Sequence, residues 1–320
     1  MTPGPTSLLV EGGASHTSVV VADERTVWTQ ESLPALNRIG ASTEAQRSVL
    51  ASIAEVAGRF DGVQGALLAV GAAATPAYLH EFATLVTDVL PQRARPPGRT
   101  YLTNDIVPLF FAVDDECDQL VIIAGTGSGV AARRGFQAIA RAGAHEYLLG
   151  DDGGAFDIGR HALRAVIAHL EHRGPATSLT ERVSARTGGV EIDRYVYGAD
   201  NPKQAVGGFT RDVFAADAAG DEVASGILSQ AAADIAEISR AALTAVGAPG
   251  PVAATFTGSL LTEPTGRLRD RVQQQLLSSD ITSFRPVDVD VDLMRRTLTA
   301  LQSDQAIFET IAGAVPALRI

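Results

Sequence analysis

Two glycine-rich turns, each following a short apolar run, are the first features of this sequence that could do chemistry. Residues 11–15 (EGGAS) follow Leu8–Val10, and residues 125–128 (GTGS) follow Leu120–Ile123. Backbone N–H groups in such turns and at helix N-termini can bind phosphate without any Lys or Arg. The turns therefore indicate a protein that handles a phosphate chain, although glycine turns are also ordinary punctuation between strands.

Two common nucleotide-binding motifs are absent from the sequence. The chain has no GxGxxG, and residues 125–129 are followed by neither a lysine nor a predicted helix, as a Walker A motif would require. These absences exclude the P-loop and Rossmann interpretations. The remaining interpretation is a pair of β-hairpin turns that face each other across a cleft, each offering backbone N–H groups and a hydroxyl to phosphate.

Five segments carry a resemblance to a known family. In chain order they are LLVEGGASHTSVVV, LTND, VIIAGTGS, LLGDDGGAFDIG and FTGSLL, over roughly positions 8–261. In order and spacing they resemble the N-acetylglucosamine kinases and BadF/BadG-type ATPases, most closely in IAGTGS and LLGDDGGAFDIG. The resemblance implies an α/β fold with two ribonuclease H-like (actin-like ATPase) domains facing an interdomain cleft. It also implies ATP and Mg²⁺ as cofactors and a small-molecule sugar as substrate.

The resemblance assigns nucleotide contacts to the glycine turns. The first two turns would meet the phosphates, and a third would place the N-terminus of a helix, Leu260–Leu277, beside the nucleoside. The implied ATP-binding residues are Gly12, Gly13, Ser15, Gly125, Thr126, Gly127, Gly258 and Ser259. Glu11 is implied to hold hydrated Mg²⁺ through water.

Asp105 occupies the position of the family's catalytic base. It follows a short predicted strand, Tyr101–Thr103. A sugar hydroxyl that attacks the γ-phosphorus needs a nearby carboxylate to accept its proton, and Asp105 would serve there while also contacting the substrate. The alternative is that Asp105 caps a helix beginning at Ile106, a common use of aspartate.

Further residues are implied to contact the sugar. Asp151 and Asn37 match positions that hold sugar hydroxyls, although Asn37 lies in a loop after Pro34, where asparagine is frequent anyway. Where the N-acetylglucosamine kinases carry Gly-Gly-Trp-Gly, this chain has residues 143–147 (GAHEY). Ala144, His145 and Glu146 are therefore predicted to line a more polar pocket. Glu146 either meets the ammonium of an unacetylated amino sugar or points outward.

Two functions compete. The first is an ATP-dependent carbohydrate kinase that phosphorylates a hydroxyl of an amino sugar of the glucosamine or N-acetylglucosamine class. The second is a nucleotide-binding regulatory ATPase or degenerate pseudokinase, favoured because Ala14 and Ser15 replace the usual glycine and threonine of the first turn. Retention of Asp105, Thr126 and Asp151 favours the enzyme. A dehydratase activator with an iron–sulfur cluster is excluded, since it needs two cysteines per subunit and the chain has only Cys117.

The composition of the chain limits the classes of partner that it can bind. A net charge of −11 argues against nucleic-acid and anionic-membrane surfaces, and the six histidines show no zinc-binding spacing. No apolar run approaches the length of a membrane span. We expect a cytoplasmic protein, and the sequence does not decide whether it forms a homodimer.

These residues need two domains to position them. The 320 residues suit two cores of ordinary size. We expect an N-terminal domain of residues 1–112 plus 292–320 and a C-terminal domain of residues 113–291, each with a mixed five-stranded sheet. Hydrophobic periodicity predicts helices at Thr43–Phe60, Pro76–Leu90, Phe156–His172, Gln204–Ala219 and Glu222–Val246.

Overall fold

The computed structural model describes residues 6–13, 16–36, 42–60, 62–73, 75–248, 250–277 and 280–320. The strands are β1 (Ser7–Gly12), β2 (His16–Ala22), β3 (Val27–Pro34), β4 (Gly65–Val70), β5 (Thr100–Thr103), β6 (Asp118–Ala124), β7 (Ser128–Arg134), β8 (Ala138–Gly143), β9 (Val252–Thr257), β10 (Ile281–Pro286) and β11 (Ala317–Arg319).

Helices account for much of the remaining chain. They are α1 (Thr43–Ala57), α2 (Pro76–Val89), α3 (Glu146–Leu149), α4 (Ala155–Leu170), α5 (Leu179–Thr187), α6 (Ile192–Tyr197), α7 (Pro202–Gly207), α8 (Thr210–Ala218), α9 (Glu222–Val246), α10 (Arg267–Leu276), α11 (Val291–Ser303) and α12 (Gln305–Ala314). Two 3₁₀ turns cover Gly71–Ala73 and Val107–Phe111. In the described part of the chain, no helix is both long enough and apolar enough to cross a membrane.

The chain forms two compact units. Unit 1 comprises Met1–Cys117, Gly135–Ile139 and Asp288–Ile320, and unit 2 comprises Asp118–Arg134 and Ala140–Val287. The first sheet has the strand order β11-β5-β4-β1-β2-β3, and the second has the order β10-β9-β6-β7-β8. This mixed α/β architecture with two sheets confirms the predicted fold class. The first sheet has six strands rather than the expected five, because the short β11 pairs antiparallel with the edge of β5.

The centre of unit 1 is buried on both faces of its sheet. Strand β4 lies parallel to both β1 and β5, and all six of its residues are buried. Leu8 and Val10 of β1 share one core cluster with Leu50 and Ile53 of α1. Helix α11 contacts β1 and β4. Because alternate strand residues point to opposite faces, the intervening Leu9 is buried on the other side.

In unit 2, one helix packs on the sheet, and two others pack closely on each other. Helix α9 contacts β7, while α4 contacts the short α7. Gly159 of α4 permits that approach, because a Cβ built there would come within 2.9 Å of the carbonyl carbon of Val206 in α7. The predicted helix Gln204–Ala219 is wrong in its continuity. The chain instead breaks between α7 and α8 at Gly208, which is the C-cap residue of α7.

Substitution of Gly159 tests this close approach. We expect Gly159→Ala to destabilise the protein by roughly 1–3 kcal/mol, because the added methyl group meets the backbone of α7. Gly226→Ala, in the exposed part of α9 with no neighbour within 4 Å, is the matched control and should stabilise the protein by roughly 0.5–1 kcal/mol. Urea unfolding of both variants measures the difference. Equal effects at the two positions would contradict the packing described for α4 and α7.

Candidate active site

Three parallel strands of unit 1 bring their carboxyl ends together. In the sheet, β4 lies between β1 and β5. Gly12 ends β1, Gly71 follows β4, and Asp105 follows β5. A Cβ built on Gly71 would lie 3.2 Å from Oδ2 of Asp105 and 3.7 Å from the carbonyl oxygen of Gly12. The predicted base and the predicted first phosphate turn therefore belong to one edge of one sheet.

Two carboxyl groups at this edge have raised pKa values. Burial raises the pKa of Asp105 to about 6, against the opposing effect of the backbone N–H groups of Asp105 and Ile106. Burial and the nearby charge of Asp105 also raise the pKa of Glu11, and His16 partly offsets them. Asp105 is therefore suited to accept a proton near neutral pH.

Asp105 does not cap a helix. The segment after it is the 3₁₀ turn Val107–Phe111, whose N-cap residue is Ile106 and not Asp105. The neighbouring Asn104 fixes the turn instead, since its Oδ1 accepts from the N–H of Ile106 at 3.2 Å. The capping alternative considered for Asp105 is therefore wrong.

The first glycine turn is described only in part. The N–H of Gly13 donates to the carbonyl of His16 at 3.1 Å, which closes the hairpin between β1 and β2. A Cβ at Gly12 would lie 2.9 Å from Cγ1 of Val70, so a side chain there would collide with β4. Ser15, predicted to contact phosphate, and Asn37, predicted to contact sugar, lie outside the described residues.

The second and third glycine turns of the chain, both in unit 2, pack on one another. Gly258 has φ +95°, and a Cβ there would lie 2.6 Å from the carbonyl carbon of Ala124 at the end of β6. In the same packing, a Cβ at Gly125 would lie 3.9 Å from Oγ of Ser259. The exposed Thr126 is bonded to no other described residue through its N–H or its hydroxyl. These donors suit an anionic ligand, and the glycine contacts leave the backbone accessible to it.

The predicted helix at the third turn is wrong. Residues 260–266 form turns, and α10 begins only at Arg267, after Gly266 in the left-handed conformation with φ +68°. Pro264 disfavours helical geometry for the residue before it, which delays the start of the helix. Gly258 and Ser259 therefore offer a tight turn, held by Leu260 N–H donating to Ala124 O at 3.1 Å, rather than a helix N-terminus.

Asp151 lies directly against the second turn. A Cβ at Gly127 would come within 2.6 Å of Cγ of Asp151. Asp151 is buried and has φ +58°, a conformation that residues other than glycine rarely adopt. Burial raises its pKa, Lys203 lowers it, and the charge of Glu146 raises it further. The side chain is thus a shielded hydrogen-bond acceptor beside the turn that contains Thr126.

Sequence reasoning missed Lys203, near the start of α7. Its Nζ donates to Oε2 of Glu146 at 2.8 Å and lies 3.5 Å from Oδ2 of Asp151. Glu146 was predicted to meet an ammonium group, and the chain itself supplies one. Ala144 and His145 are exposed. One signal was available in the sequence, because Lys203 is the only lysine in the chain.

Each unit by itself offers groups that suit part of a nucleotide complex. In unit 1, the carboxylates of Glu11 and Asp105 are near enough to interact and could hold a hydrated metal ion. In unit 2, the donors of Thr126, free among the described residues, suit phosphate. Among the described residues, no group of three or more His, Cys, Asp or Glu side chains is arranged to hold a metal directly. This donor set matches Mg²⁺ chemistry, in which water and phosphate oxygens supply most of the ligands.

The sequence comparison decides the family. Residues 10–290 match the sequence profile of the BadF/BadG/BcrA/BcrD ATPase family, which is most of the chain. The chain belongs to this ATPase family. Use of ATP follows from that membership, and the predicted resemblance is confirmed.

Individual relatives agree with this membership. The chain is 27% identical over 141 residues to an N-acetylmuramic acid/N-acetylglucosamine kinase of Clostridium acetobutylicum, over 43% of this chain and 46% of that protein. The match thus spans less than half of that relative. Two solved structures of candidate N-acetylglucosamine kinases share the fold. That from Chromobacterium violaceum has a TM-score of 0.70 and 19% identity, and that from Porphyromonas gingivalis has 0.69 and 18%. Each comparison covers 93% of this chain and 99% of the other.

Gly258 provides a test of the nucleotide contacts predicted for unit 2. We expect Gly258→Ala to cost about 2 kcal/mol or more in stability and to weaken binding of a non-hydrolysable ATP analogue at least tenfold, because the Cβ both strains the backbone and displaces Ala124. Gly220→Ala is the matched control, with φ +86° and no neighbour within 4 Å. It should cost roughly 1–2 kcal/mol and leave nucleotide affinity unchanged.

Calorimetric titration of the analogue, with thermal unfolding in parallel, separates the two effects. The nucleotide assignment of the third turn fails if Gly258→Ala binds the analogue as tightly as Gly220→Ala does.

Proposed function

We propose that the chain is a cytoplasmic ATP-dependent kinase that transfers the γ-phosphate to a hydroxyl of an amino sugar of the glucosamine or N-acetylglucosamine class. The observation that carries the proposal is Asp105. Its carboxyl group lies beside Gly71 at the carboxyl ends of β1, β4 and β5, and its pKa is about 6. A carboxylate with this pKa is a suitable acceptor for the proton of an attacking hydroxyl at neutral pH.

The other residues would act on charge and orientation. Asp105 accepts the proton as the sugar oxygen bonds to the γ-phosphorus, and the bond between the γ-phosphorus and the β–γ bridging oxygen breaks, which leaves ADP. Glu11 would hold Mg²⁺ through water, and the bound ion would supply positive charge beside the phosphate oxygens. Thr126 would donate to the phosphates through its N–H and hydroxyl, and Asp151 would accept hydrogen bonds from the sugar hydroxyls.

The choice between the two sugars turns on Glu146. One of the two alternatives for Glu146 was that it pairs with the ammonium of a free-amine substrate. Since Lys203 already donates to Glu146 at 2.8 Å, that reason for preferring glucosamine is weaker. The name of the Clostridium relative supports N-acetylglucosamine. Both sugars therefore belong in the test.

A coupled assay of ADP release over hexoses, hexosamines and N-acetylhexosamines tests the proposal. We expect ADP release that depends on one of the amino sugars and exceeds the rate without sugar. ADP release that no sugar stimulates would contradict a kinase and favour the regulatory alternative.

Asp105→Asn tests the assigned base. The amide keeps the shape of the carboxyl group but cannot take the proton, so kcat should fall roughly 10²–10⁴-fold while sugar affinity changes little. Asp88→Asn is the control, because Asp88 forms an exposed ion pair with Arg47 at 3.1 Å and should leave kcat unchanged.

The pH profile gives a second readout of Asp105. The base must be ionised, so kcat/KM for the sugar should fall as the pH drops through about 6, the pKa of Asp105 in the folded protein. The residual activity of Asp105→Asn should lack this acid limb. A variant with near wild-type turnover at saturating substrates would remove Asp105 from the mechanism.

A further inference from the structure

Lys203 stands out in the composition of the chain. It is the only lysine among 26 basic residues, and the other 25 are arginines. A lysine ammonium is a compact charge with three donors, whereas a guanidinium is a larger planar group with a fixed geometry. The exception indicates a position whose surroundings suit the smaller cation.

Those surroundings are two carboxylates and an aromatic ring. The Nζ atom of Lys203 lies 2.8 Å from Oε2 of Glu146, 3.5 Å from Oδ2 of Asp151 and 5.2 Å from the ring centre of Tyr147. The side chains of Lys203 and Asp151 are only 19% and 8% exposed. The pair of Lys203 with Asp151 is therefore shielded from water, whereas Glu146 is 43% exposed and its pair with Lys203 is more strongly screened.

The cluster also connects residues whose backbone conformation needs support from neighbouring contacts. Ala144, Glu146 and Asp151 have φ values of 57°, 66° and 58° in the left-handed region. Non-glycine residues persist in that conformation only where their surroundings impose it. Lys203 bonds to two of the three, and the packing of α7 on α4 at Gly159 fixes the helix that carries it.

The contact has a consequence for the charge of Asp151. This carboxyl group packs on Gly127, where burial favours its neutral form and Glu146 adds repulsion. Lys203 is the cation that opposes both effects. A neutral Asp151 would lose acceptor capacity towards a hydroxyl ligand.

We propose that Lys203 is a positioning residue of the sugar site, which keeps Asp151 ionised and fixed against the Gly125–Ser128 turn. The identity of the ligand rests on the proposed function. The link between Lys203 and Asp151 does not, because it can be measured without any sugar.

The first experiment measures sugar binding without nucleotide from about pH 5 to pH 8. By calorimetry, Lys203→Met should weaken binding of the amino sugar at least about tenfold at pH 7.5, and its affinity should begin to fall at a higher pH than in the wild type. Lys203→Arg keeps the charge and should retain the wild-type acid limb, even where the larger guanidinium lowers the affinity at every pH. Asp105 titrates in both variants, so the difference between them reports on the Lys203, Glu146 and Asp151 cluster.

Arg271→Met is the matched control in the same unit. Arg271 donates to the buried Asp217 at 2.8 Å, so its loss also removes a cation from a shielded carboxylate, but on α10. This variant should lose stability and keep both sugar affinity and its pH dependence. If Lys203→Met binds sugar as the wild type does, or if Arg271→Met shifts the acid limb equally, the proposal is overturned.

A double-mutant cycle in thermal unfolding tests the link independently. At pH 7.5, Lys203→Met should lower the midpoint, and adding Asp151→Asn should restore most of that loss, because the neutral amide needs no cation. At about pH 4 the cost of Lys203→Met should shrink, because Asp151, whose pKa is raised by burial, then takes up a proton. Additive effects at both pH values would refute the link. Coupling without any sugar binding by the wild type would instead sink the proposed function while sustaining the link.

Discussion

The cost of taking a carboxylate out of water governs the candidate site residues of both units. Each unit has an aspartate next to a glycine turn at the end of a strand, and burial raises the pKa of both Asp105 and Asp151. Unit 2 offsets the cost internally through Lys203. Among the described residues of unit 1, no cation acts on Asp105, and Glu11 adds a second negative charge nearby. The asymmetry suits their proposed roles, since a base must gain a proton readily and a sugar-binding acceptor must stay charged.

Glycine makes these carboxylate positions sterically possible. The carboxylate of Asp105 lies where a Cβ on Gly71 would be 3.2 Å away, and that of Asp151 occupies space that a Cβ on Gly127 would need. Each site therefore depends on a glycine that admits the acid, although Asp105 follows strand β5 and Asp151 lies between helices α3 and α4. Among the turn glycines, Gly12, Gly127 and Gly258 have no room for a Cβ, whereas one at Gly13 or Gly125 would make only ordinary contacts.

Much of the fold could be predicted from the sequence because its signals are local. Apolar runs ending in glycine predicted the β1–β2 and β6–β7 hairpins, and helical periodicity predicted α9 at its observed bounds. Failures occurred where short-range signals compete. The segment before α10 begins with apolar Leu260 and Leu261 and reads as helical, but Pro264 and Gly266 prevent a helix until Arg267. Strand β11 has only three residues, and its partner β5 is more than two hundred positions away.

Sequence motifs predicted only some of the residues of the candidate site. Asp105, Thr126 and Asp151 lie in segments whose pattern is recognisable one by one. Lys203 lies in no recognisable motif. Its contacts with Glu146 and Asp151 cross 57 and 52 positions of sequence and depend on how α7 packs. Such a contact leaves no periodic pattern. The only signal for Lys203 in the sequence is that the chain contains no other lysine.

The central claim is that the γ-phosphate moves to a sugar rather than to water. Phosphorus-31 NMR of a reaction containing the protein, ATP, Mg²⁺ and N-acetylglucosamine or glucosamine tests it directly. We expect a new phosphomonoester signal that grows in step with ADP, with little inorganic phosphate. Inorganic phosphate as the sole partner of ADP with every sugar would show an ATPase without a sugar acceptor, and would contradict the account.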